Sequence, residues 1–203
     1  AILVGGGPVP ESILAEAIDR GATVVQTYGL TETCSQVTTL APEDALRKLG
    51  SAGRPLLSSH VRIRDGEILV QGPTVAPGRY DESGWLHTGD LGHIDEEGFL
   101  YVSDRIDDMI VTGGENVVPS EVEEVLLDHP AVVEAAVVGR EDPEWQQAVT
   151  AVVVLAPDAE VTPDELRHHC AATLAGYKVP KRVELAAALP RTPSGKLMRR
   201  ALR

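Results

Sequence analysis

The sequence predicts an α/β fold followed by a smaller α+β domain. Residues 1–26 have the strand–helix–strand order of a βαβ unit, which is typical of a parallel sheet. Residues 50–103 hold strand pairs around tight turns, which predicts a small antiparallel β subdomain. After residue 108 the predicted order is ββαββα with a tail, which is typical of a compact α+β domain.

Composition excludes several classes of protein. The 203 residues are 43% hydrophobic but only 3% aromatic, so the core must consist of Val, Leu, Ile and Ala. The net charge of −13 argues against a nucleic-acid surface. No apolar run approaches the roughly 18 residues of a membrane span, and nothing resembles a signal peptide. Cys34 and Cys170 lack metal-ligand spacing and fit a reducing cytoplasm.

The first predicted element is a buried strand over residues 1–4, which runs directly into a glycine-rich loop over residues 5–10. The sequence does not begin with Met, and a strand that meets a loop at residue 4 suggests a sheet that has been cut. We therefore expect further protein upstream of Ala1.

The next element is a helix over residues 11–20, which Gly21 ends. Its predicted apolar face consists of Ile13, Leu14, Ala17 and Ile18. A strand over residues 23–26 follows, and residues 28–33 come directly after it. Ligands bind at such strand ends in open α/β sheets, although a surface turn is the commoner outcome for a stretch of this kind.

Two hairpins are predicted after a short helix over residues 42–49. Strands 61–64 and 67–70 alternate about Asp65-Gly66, a turn pair typical of hairpins. A second hairpin joins residues 91–94 to residues 99–102. Just before it, Thr88-Gly89-Asp90 is predicted to be a loop that offers a carboxylate beside flexible backbone.

The last third begins with a predicted hairpin around Gly113-Gly114. Ser120 and Glu123 have the spacing of a capping box, which predicts a helix from Ser120 to about Asp128. Apolar strands are expected over residues 132–138 and 148–155.

A second capping box predicts the last helix. Thr162 is its expected N-cap, Pro163 its first residue and Glu165 the side chain that reaches back, with the end near Gly176. The tail over residues 190–200 is interrupted by Pro and Gly and cannot be regular throughout.

Several side chains suit a nucleotide site, and each also has an ordinary alternative. Glu32 could bind Mg²⁺. Its spacing alone favours the alternative, a solvated acid. Asp90 could accept bonds from two ribose hydroxyls or be a turn residue. Arg105 could form a surface ion pair with Asp107, and a lone lysine such as Lys196 is usually solvated.

Glycines and histidines add weaker signals. Gly5, Gly6 and Gly7 would permit close approach to a ligand, but three glycines are also common in loops. The sequence shows no metal-ligand pattern around its histidines, and we interpret four of them as non-metal residues. These are His87, His93, His168 and His169.

Taken together, five motifs occur in a distinctive order. They are Tyr28-Gly-x-Thr31-Glu32, Gly84-Trp-x-x-Thr88-Gly89-Asp90, Asp104-Arg105-x-Asp107-Asp108, Gly113-Gly114-Glu115-Asn116-x-x-Pro119-x-Glu121-x-Glu123 and Pro190-x-Thr192-x-x-Gly195-Lys196-x-x-Arg199. This set resembles the C-terminal part of the adenylate-forming superfamily, which contains acyl-CoA synthetases, adenylation domains and luciferases. Within it, residues 5–10, 26–36, 86–90 and 176–181 look most like the 2-succinylbenzoate–CoA ligases.

The resemblance implies a domain organisation and a reaction. Residues 1–49 would end the α/β core of a large domain, residues 50–104 would be its β-rich subdomain, and residues 105–203 would form a mobile α+β lid. ATP and a carboxylic acid would give an acyl-adenylate with Mg²⁺ present, and CoA would then displace AMP to form a thioester.

The resemblance also implies roles for particular residues. The adenine would lie beside Gly5, Gly6, Gly7, Pro8, Tyr28 and Gly29. Thr31 would contact phosphate, Glu32 would bind Mg²⁺, and Asp90 with Arg105 would hold the ribose. The remaining assignments are Asp107 as the hinge, Lys196 at the carboxylate and α-phosphate, and Gly113 with Gly114 beside the pantetheine.

One departure and three alternatives remain. The family's phosphate loop, ending in Pro-Lys, and most of the acyl pocket would lie upstream of Ala1, so we expect these residues alone to be inactive and to need the missing N-terminal part. The sequence also leaves open whether the protein forms a homo-oligomer. The alternatives are an acyl-CoA synthetase for a fatty or aryl acid, an amino-acid adenylation domain, which the form of residues 113–119 disfavours, and a truncated non-catalytic binding module.

Overall fold

The computed structural model describes residues 1–7, 9, 11–193 and 195–203, with the side chains at positions 11 and 12 left out. Pro8, predicted to flank the adenine, therefore lies outside the described residues. The chain divides into two compact units, Ala1–Ile106 and Asp107–Arg203.

The first unit begins with a four-stranded sheet in the order β1-β2-β3-β4. Its strands are β1 (Ile2–Val4), β2 (Val24–Gly29), β3 (Gln36–Thr39) and β4 (Arg54–Pro55). β1 and β2 are parallel, and helix α1 (Glu11–Asp19) connects them, as the βαβ order predicts. β2, β3 and β4 pair antiparallel.

Helix α1 ends as predicted, but its surroundings differ from the expectation. Gly21 adopts φ +80°, and the amides of Gly21 and Ala22 bond back to Ile18 and Ala17, which is a Schellman cap. β1 was expected to be buried, yet Ile2 is 54% and Leu3 58% exposed, and β1 lies at the edge of this sheet.

Two shorter predictions in this region were wrong. Ile13 is 55% exposed rather than packed on the apolar face of α1. The expected helix over residues 42–49 is reduced to a 3-10 turn, Pro42–Asp44. Leu46 is exposed there, so a longer helix would have had little apolar surface to pack against.

A second, antiparallel sheet of the first unit has the order β5-β6-β7-β8. Its strands are β5 (His60–Arg64), β6 (Glu67–Gln71), β7 (Leu86–Ile94) and β8 (Leu100–Arg105). Asp65 and Gly66 both have positive φ, as the two central residues of a type I′ turn require. Both predicted hairpins are confirmed.

The segment Thr88-Gly89-Asp90 is not a loop, as predicted, but lies inside the nine-residue strand β7. Gly89 adopts φ +71°, and the β7–β8 register shifts between Asp90 and Gly92. The sequence signal was misleading because a glycine beside an aspartate is typical of turns, and here the glycine makes an irregularity within a strand.

The second unit is a five-stranded sheet with helices α2 (Pro119–Leu127) and α3 (Pro163–Thr173). The strand order is β10-β9-β12-β11, with β13 added parallel to β12. The strands are β9 (Ile110–Thr112), β10 (Glu115–Val117), β11 (Val132–Asp142), β12 (Gln146–Leu155) and β13 (Arg182–Leu185). β13 was missed, since four residues with one buried side chain, Val183, give little signal.

The two predicted capping boxes have different outcomes. At α3, Thr162 Oγ1 accepts from the Glu165 amide at 3.2 Å, and the Thr162 amide donates to Glu165 Oε2 at 2.8 Å. At α2 the prediction was wrong, because Pro119 is already the first helical residue and Val118 the N-cap. Helix α3 ends at Thr173, before the expected Gly176.

The core of the second unit lies between the sheet and its helices. Three elements contribute fully buried side chains to it, among them Val122 and Leu126 of α2, Leu166 of α3, and Val149 and Val153 of β12. Among the described residues, no helix has the length and apolar character needed to cross a bilayer.

Candidate functional site

A buried carboxylate lies where the two sheets of the first unit meet. Tyr28 of β2 donates its hydroxyl to Asp90 Oδ2 of β7 at 2.7 Å. Asp90 is only 7% exposed. Burial, and secondly the charge of Asp90, raise the pKa of Tyr28 well above its usual range. The phenol therefore stays protonated and remains a donor at neutral pH.

Arg105 holds the other side of the same carboxylate. Its Nη1 donates to Asp90 Oδ1 at 3.1 Å, and the two residues are Cα partners across β7 and β8. The sequence left open an ordinary surface pair between Arg105 and Asp107, and the structure shows Arg105 paired with Asp90. Tyr28 and Arg105 thus hold the two oxygens of the Asp90 carboxylate from different strands.

Gly89 provides room for this pairing. A Cβ at Gly89 would lie 3.1 Å from Arg105 Nη2, and the φ of +71° is one that side chains rarely adopt. A larger residue would therefore strain the backbone and displace the guanidinium that faces Asp90.

Arg105 also borders an open cleft of about 280 Å³. The same cleft is lined by Glu32, Arg79, His87 and Thr88. Glu32 is the middle residue of a 3-10 turn, Thr31–Thr33, and its carbonyl accepts from the Ala76 amide at 2.8 Å. The structure thus brings Glu32 and Arg105, predicted from separate motifs, to one cavity.

Two of the four glycines predicted to border the adenine, Gly5 and Gly29, have a packing role within the protein. A Cβ at Gly5 would lie 2.6 Å from Thr27 Cγ2, and one at Gly29 would lie 2.4 Å from the Ser35 carbonyl oxygen. Close approach of the Thr27 side chain to Gly5, and of the Ser35 backbone to Gly29, therefore explains these two glycines without a ligand. At Gly6 and Gly7 a Cβ would meet open space.

The other predicted residues belong to the second unit. Gly113 and Gly114 form the turn between β9 and β10, both with positive φ. A Cβ on Gly113 would lie 3.0 Å from Trp145 Cε3, and Lys181 Nζ lies 4.3 Å from the centre of a Trp145 ring. Asp107 lies in a 3-10 turn, Ile106–Asp108.

Lys196 lies on an exposed turn of the tail. Its amide donates to Thr192 Oγ1 at 3.1 Å, and its carbonyl accepts from the Thr192 amide at 2.8 Å. Three residues later, Arg199 forms a bidentate pair with Glu123 of α2, with Nη2 to Oε2 at 3.0 Å, and also donates to the Val137 carbonyl at 3.2 Å. Sequence reasoning missed this anchor, which joins residues 76 positions apart.

Sequence reasoning also missed Glu67. Its Oε1 accepts from the Gly89 amide at 2.9 Å, and its Oε2 lies 2.8 Å from His87 Nδ1. Hydrogen bonding to Glu67 is the main cause that raises the pKa of His87. Glu67 belongs to no recognised motif, and only the strand register could have indicated its contacts.

The other three of the four histidines interpreted as non-metal residues also have partners. His93 stacks on Tyr101, His168 Nδ1 lies 2.7 Å from the Asp164 carbonyl oxygen, and His169 Nε2 lies 2.8 Å from the Val125 carbonyl oxygen. No group of three or more His, Cys, Asp or Glu side chains suited to a metal ion occurs within residues 1–7, 9, 11–193 and 195–203, where positions 11 and 12 count for backbone only.

Two family models match the chain. The model described as AMP-binding enzyme matches residues 1–80, and the model described as AMP-binding enzyme C-terminal domain matches residues 121–196. The first match contains Tyr28 and Glu32, and the second ends on Lys196.

Similar proteins match over the whole chain. A 2–succinylbenzoate–CoA ligase of Bacillus cereus is 48% identical over 100% of this chain and 46% of its own length. The o-succinylbenzoate CoA synthetase (MenE) of Bacillus subtilis, solved with the acyl-adenylate intermediate OSB-AMP, is 47% identical with a TM-score of 0.85, over 100% of this chain and 45% of that one. The chain spans about half the length of the curated relatives it matches.

A more distant solved structure agrees in fold. ATP-bound MatB of Rhodopseudomonas palustris is 32% identical with a TM-score of 0.93, over 99% of this chain and 44% of that one. The two family matches are consecutive parts of one kind of enzyme and together cover most of the sequence. The chain therefore belongs to the AMP-binding, adenylate-forming enzymes, of which it represents the C-terminal part.

Proposed function

We propose that this chain is the C-terminal part of an ATP-dependent acid–thiol ligase that forms an acyl-adenylate and then an acyl-CoA. The observation that carries the proposal is the buried Asp90, held between Tyr28 and Arg105 beside the cleft that contains Glu32. A carboxylate held in a fixed orientation beside a cleft suits the two hydroxyls of a ribose.

The residues of the first unit then bind the nucleotide. Asp90 accepts from the ribose, and Arg105 fixes the orientation of Asp90. Gly5, Gly6, Gly7, Pro8, Tyr28 and Gly29 border the adenine. Thr31 contacts phosphate through its hydroxyl. The exposed position of Thr31 and the half-buried position of Glu32 support these roles.

Mg²⁺ fits this site as a shared ion. Glu32 supplies one carboxylate to the cleft, and Mg²⁺ is commonly held by one or two carboxylates together with substrate phosphates and water. The bound ion would neutralise charge on the phosphates of ATP.

The residues of the second unit act on the reacting groups. The exposed Lys196 ammonium neutralises charge that develops between the carboxylate and the α-phosphate during adenylation. Asp107 is the hinge about which the second unit, Asp107–Arg203, turns as a lid between the two half-reactions. In the second half-reaction, Gly113 and Gly114 lie beside the pantetheine of CoA, where small residues allow its passage.

The proposed acid is 2-succinylbenzoate, and the proposed pathway is menaquinone biosynthesis. The identities of 48% and 47% to enzymes named for this acid support the assignment. An acyl-CoA synthetase for a fatty or aryl acid is the second candidate, because ATP-bound MatB, a structure that is not named for 2-succinylbenzoate, has the higher TM-score of 0.93. The upstream part of the enzyme supplies most of the acyl pocket, and we place the enzyme in the cytoplasm, where ATP and CoA occur. A homo-oligomer stays a prediction.

Lys196→Ala in the full-length protein tests the adenylation role. We expect ATP–pyrophosphate exchange to fall by two or more orders of magnitude, on the order of one lost transition-state contact, while thioester formation from added acyl-adenylate persists. Arg200→Ala, which removes an exposed cation nearby, is the matched control and should leave both rates unchanged. Equal losses in both half-reactions would reject the role of Lys196.

The acid is tested by AMP release over a panel of carboxylic acids. We expect 2-succinylbenzoate to give the highest kcat/KM. A fatty or aryl acid that ranks first would favour the second candidate. Absence of AMP release with every acid would reject the proposed function itself.

A further inference from the structure

The backbone around Asp90 departs from regular pairing on both sides of β7. The β6–β7 register shifts between Glu67 and Leu69, and the β7–β8 register shifts between Asp90 and Gly92. Amides at such irregularities lose their partners in the ladder and need others. The geometry of Asp90 therefore depends on whatever satisfies the amides near Gly89.

Side chains supply the missing partners. The Gly89 amide donates to Glu67 Oε1 at 2.9 Å. The Asp90 amide donates to Thr88 Oγ1 at 3.1 Å, and Thr88 Oγ1 donates in turn to the Ile68 carbonyl at 2.7 Å. β6 thus bonds Thr88 and Gly89 of β7 directly, and it holds Asp90 through Thr88.

The Glu67 carboxylate is itself held in place. Its side chain is only 18% exposed, and its second oxygen lies 2.8 Å from His87 Nδ1. His87 Nε2 lies 3.5 Å from Asp81 Oδ2, so the imidazole lies between two carboxylates. The position of Oε1 beside the Gly89 amide is therefore set by a network and does not depend on one bond.

We propose that Glu67 is a positioning residue for nucleotide binding. By accepting from the Gly89 amide it keeps Gly89 left-handed, which points Asp90 at Tyr28 and Arg105. Glu67 acts through Asp90 and needs no contact with the nucleotide. The inference rests on the proposed function, because it takes Asp90 as the ribose acceptor.

Two conservative variants of Glu67 in the full-length enzyme separate the effect of side-chain length from the effect of charge. Glu67→Gln keeps an oxygen at the same reach, so it should still accept from the Gly89 amide. Glu67→Asp keeps the charge but is one methylene too short. We expect the KM for ATP to rise roughly 10-fold in Glu67→Asp and to stay within about 3-fold in Glu67→Gln. The KM for the carboxylic acid should not change in either.

Glu96→Asp is the matched control, since Glu96 is exposed and is expected to behave as the wild type. Thermal unfolding of each variant shows whether it is folded. An unchanged KM for ATP in folded Glu67→Asp would overturn the inference. So would a loss confined to kcat, which indicates a smaller folded fraction. An inactive wild type, by contrast, would reject the proposed function and not the role of Glu67.

Discussion

The Asp90 side chain is bonded by Tyr28 and Arg105, which come from distant parts of the sequence. Tyr28 lies 62 positions away and Arg105 lies 15 positions away, yet each bonds a different carboxylate oxygen. An acid in this setting is oriented by fixed donors before a ligand arrives. Pre-organisation of this kind lowers the entropic cost of binding a ribose.

Tyr28→Phe tests this orientation directly. The change removes one donor from Asp90 and keeps the ring that borders the proposed adenine site. We expect the KM for ATP to rise about 5-fold, in line with a loss of about 1 kcal/mol for one hydrogen bond. Steady-state kinetics with ATP varied would measure it.

Tyr80→Phe is the control, since Tyr80 is 51% exposed. Identical KM values for Tyr28→Phe and Tyr80→Phe would show that the Tyr28 hydroxyl does not contribute. A rise in the KM for the acid alone would also contradict the prediction.

At the scale of residues, the motifs predicted which residues belong to the candidate site better than they predicted the contacts between them. Asp90 and Arg105 were assigned to one function from their motifs, and the structure places them 3.1 Å apart. Tyr28 was assigned to the adenine, and its bond to Asp90 was not foreseen. Glu67 could not be found at all, because its contact with Gly89 depends on a register irregularity that no local pattern encodes.

At the scale of elements, turn chemistry was the most reliable local signal. Asp65-Gly66 predicted its hairpin because both positions need positive φ. The same kind of signal failed at Gly89, where cross-strand pairing continues through a left-handed residue. The capping box at Ser120 was not formed because Pro119, which favours the first helical position, makes Val118 the N-cap, two residues before Ser120.

A nearly buried ion pair between Arg199 and Glu123 helps to hold the tail that carries Lys196, together with the more exposed pairs Arg191–Glu134 and Arg203–Asp108. The side chains of Arg199 and Glu123 are 14% and 12% exposed, and Glu123 Oε1 also accepts from the Val137 amide at 2.6 Å. Arg199→Leu would leave Glu123 buried without this cation. We expect the second unit to lose roughly 3 kcal/mol of stability, the cost typical of a broken buried pair. Urea unfolding would measure the loss.

The double variant Arg199→Leu with Glu123→Leu separates charge from packing. Replacing both partners by apolar residues is often close to neutral, so we expect it to recover part of the lost stability. Arg200→Leu, at an exposed neighbouring position, is the control. If Arg199→Leu unfolds at the same urea concentration as Arg200→Leu, the pair does not stabilise the tail.

At the scale of the whole molecule, the chain consists of two units whose boundary falls between Ile106 and Asp107. The composition and the βαβ and ββαββα orders predicted the fold class. The exposed face of β1 could not be predicted, because Ile2 and Leu3 are apolar residues whose burial depends on what lies beside an edge strand.

Asp107→Pro tests the proposed hinge. Proline fixes φ near −65° and restricts the residue before it, so rotation at this position should be impaired. We expect adenylation to remain within a few-fold of the wild type, and thioester formation to fall by roughly two orders of magnitude if rotation becomes rate-limiting. The two half-reactions would be measured separately, by pyrophosphate exchange and by CoA consumption.

Asp107→Ala is the matched variant, because it removes the same carboxylate and leaves φ free. It should retain both half-reactions. A loss of adenylation in Asp107→Pro, or an equal defect in Asp107→Ala, would show that the position matters for a reason other than rotation.

The chain has two tryptophans, and each unit contains one of them. Trp145 packs beside Gly113 under the Lys181 ammonium, while Trp85 in the first unit lies 4.0 Å from the Arg62 guanidinium. Each unit therefore has its own intrinsic fluorophore. Replacing either indole with phenylalanine would leave an emission signal that follows a single unit.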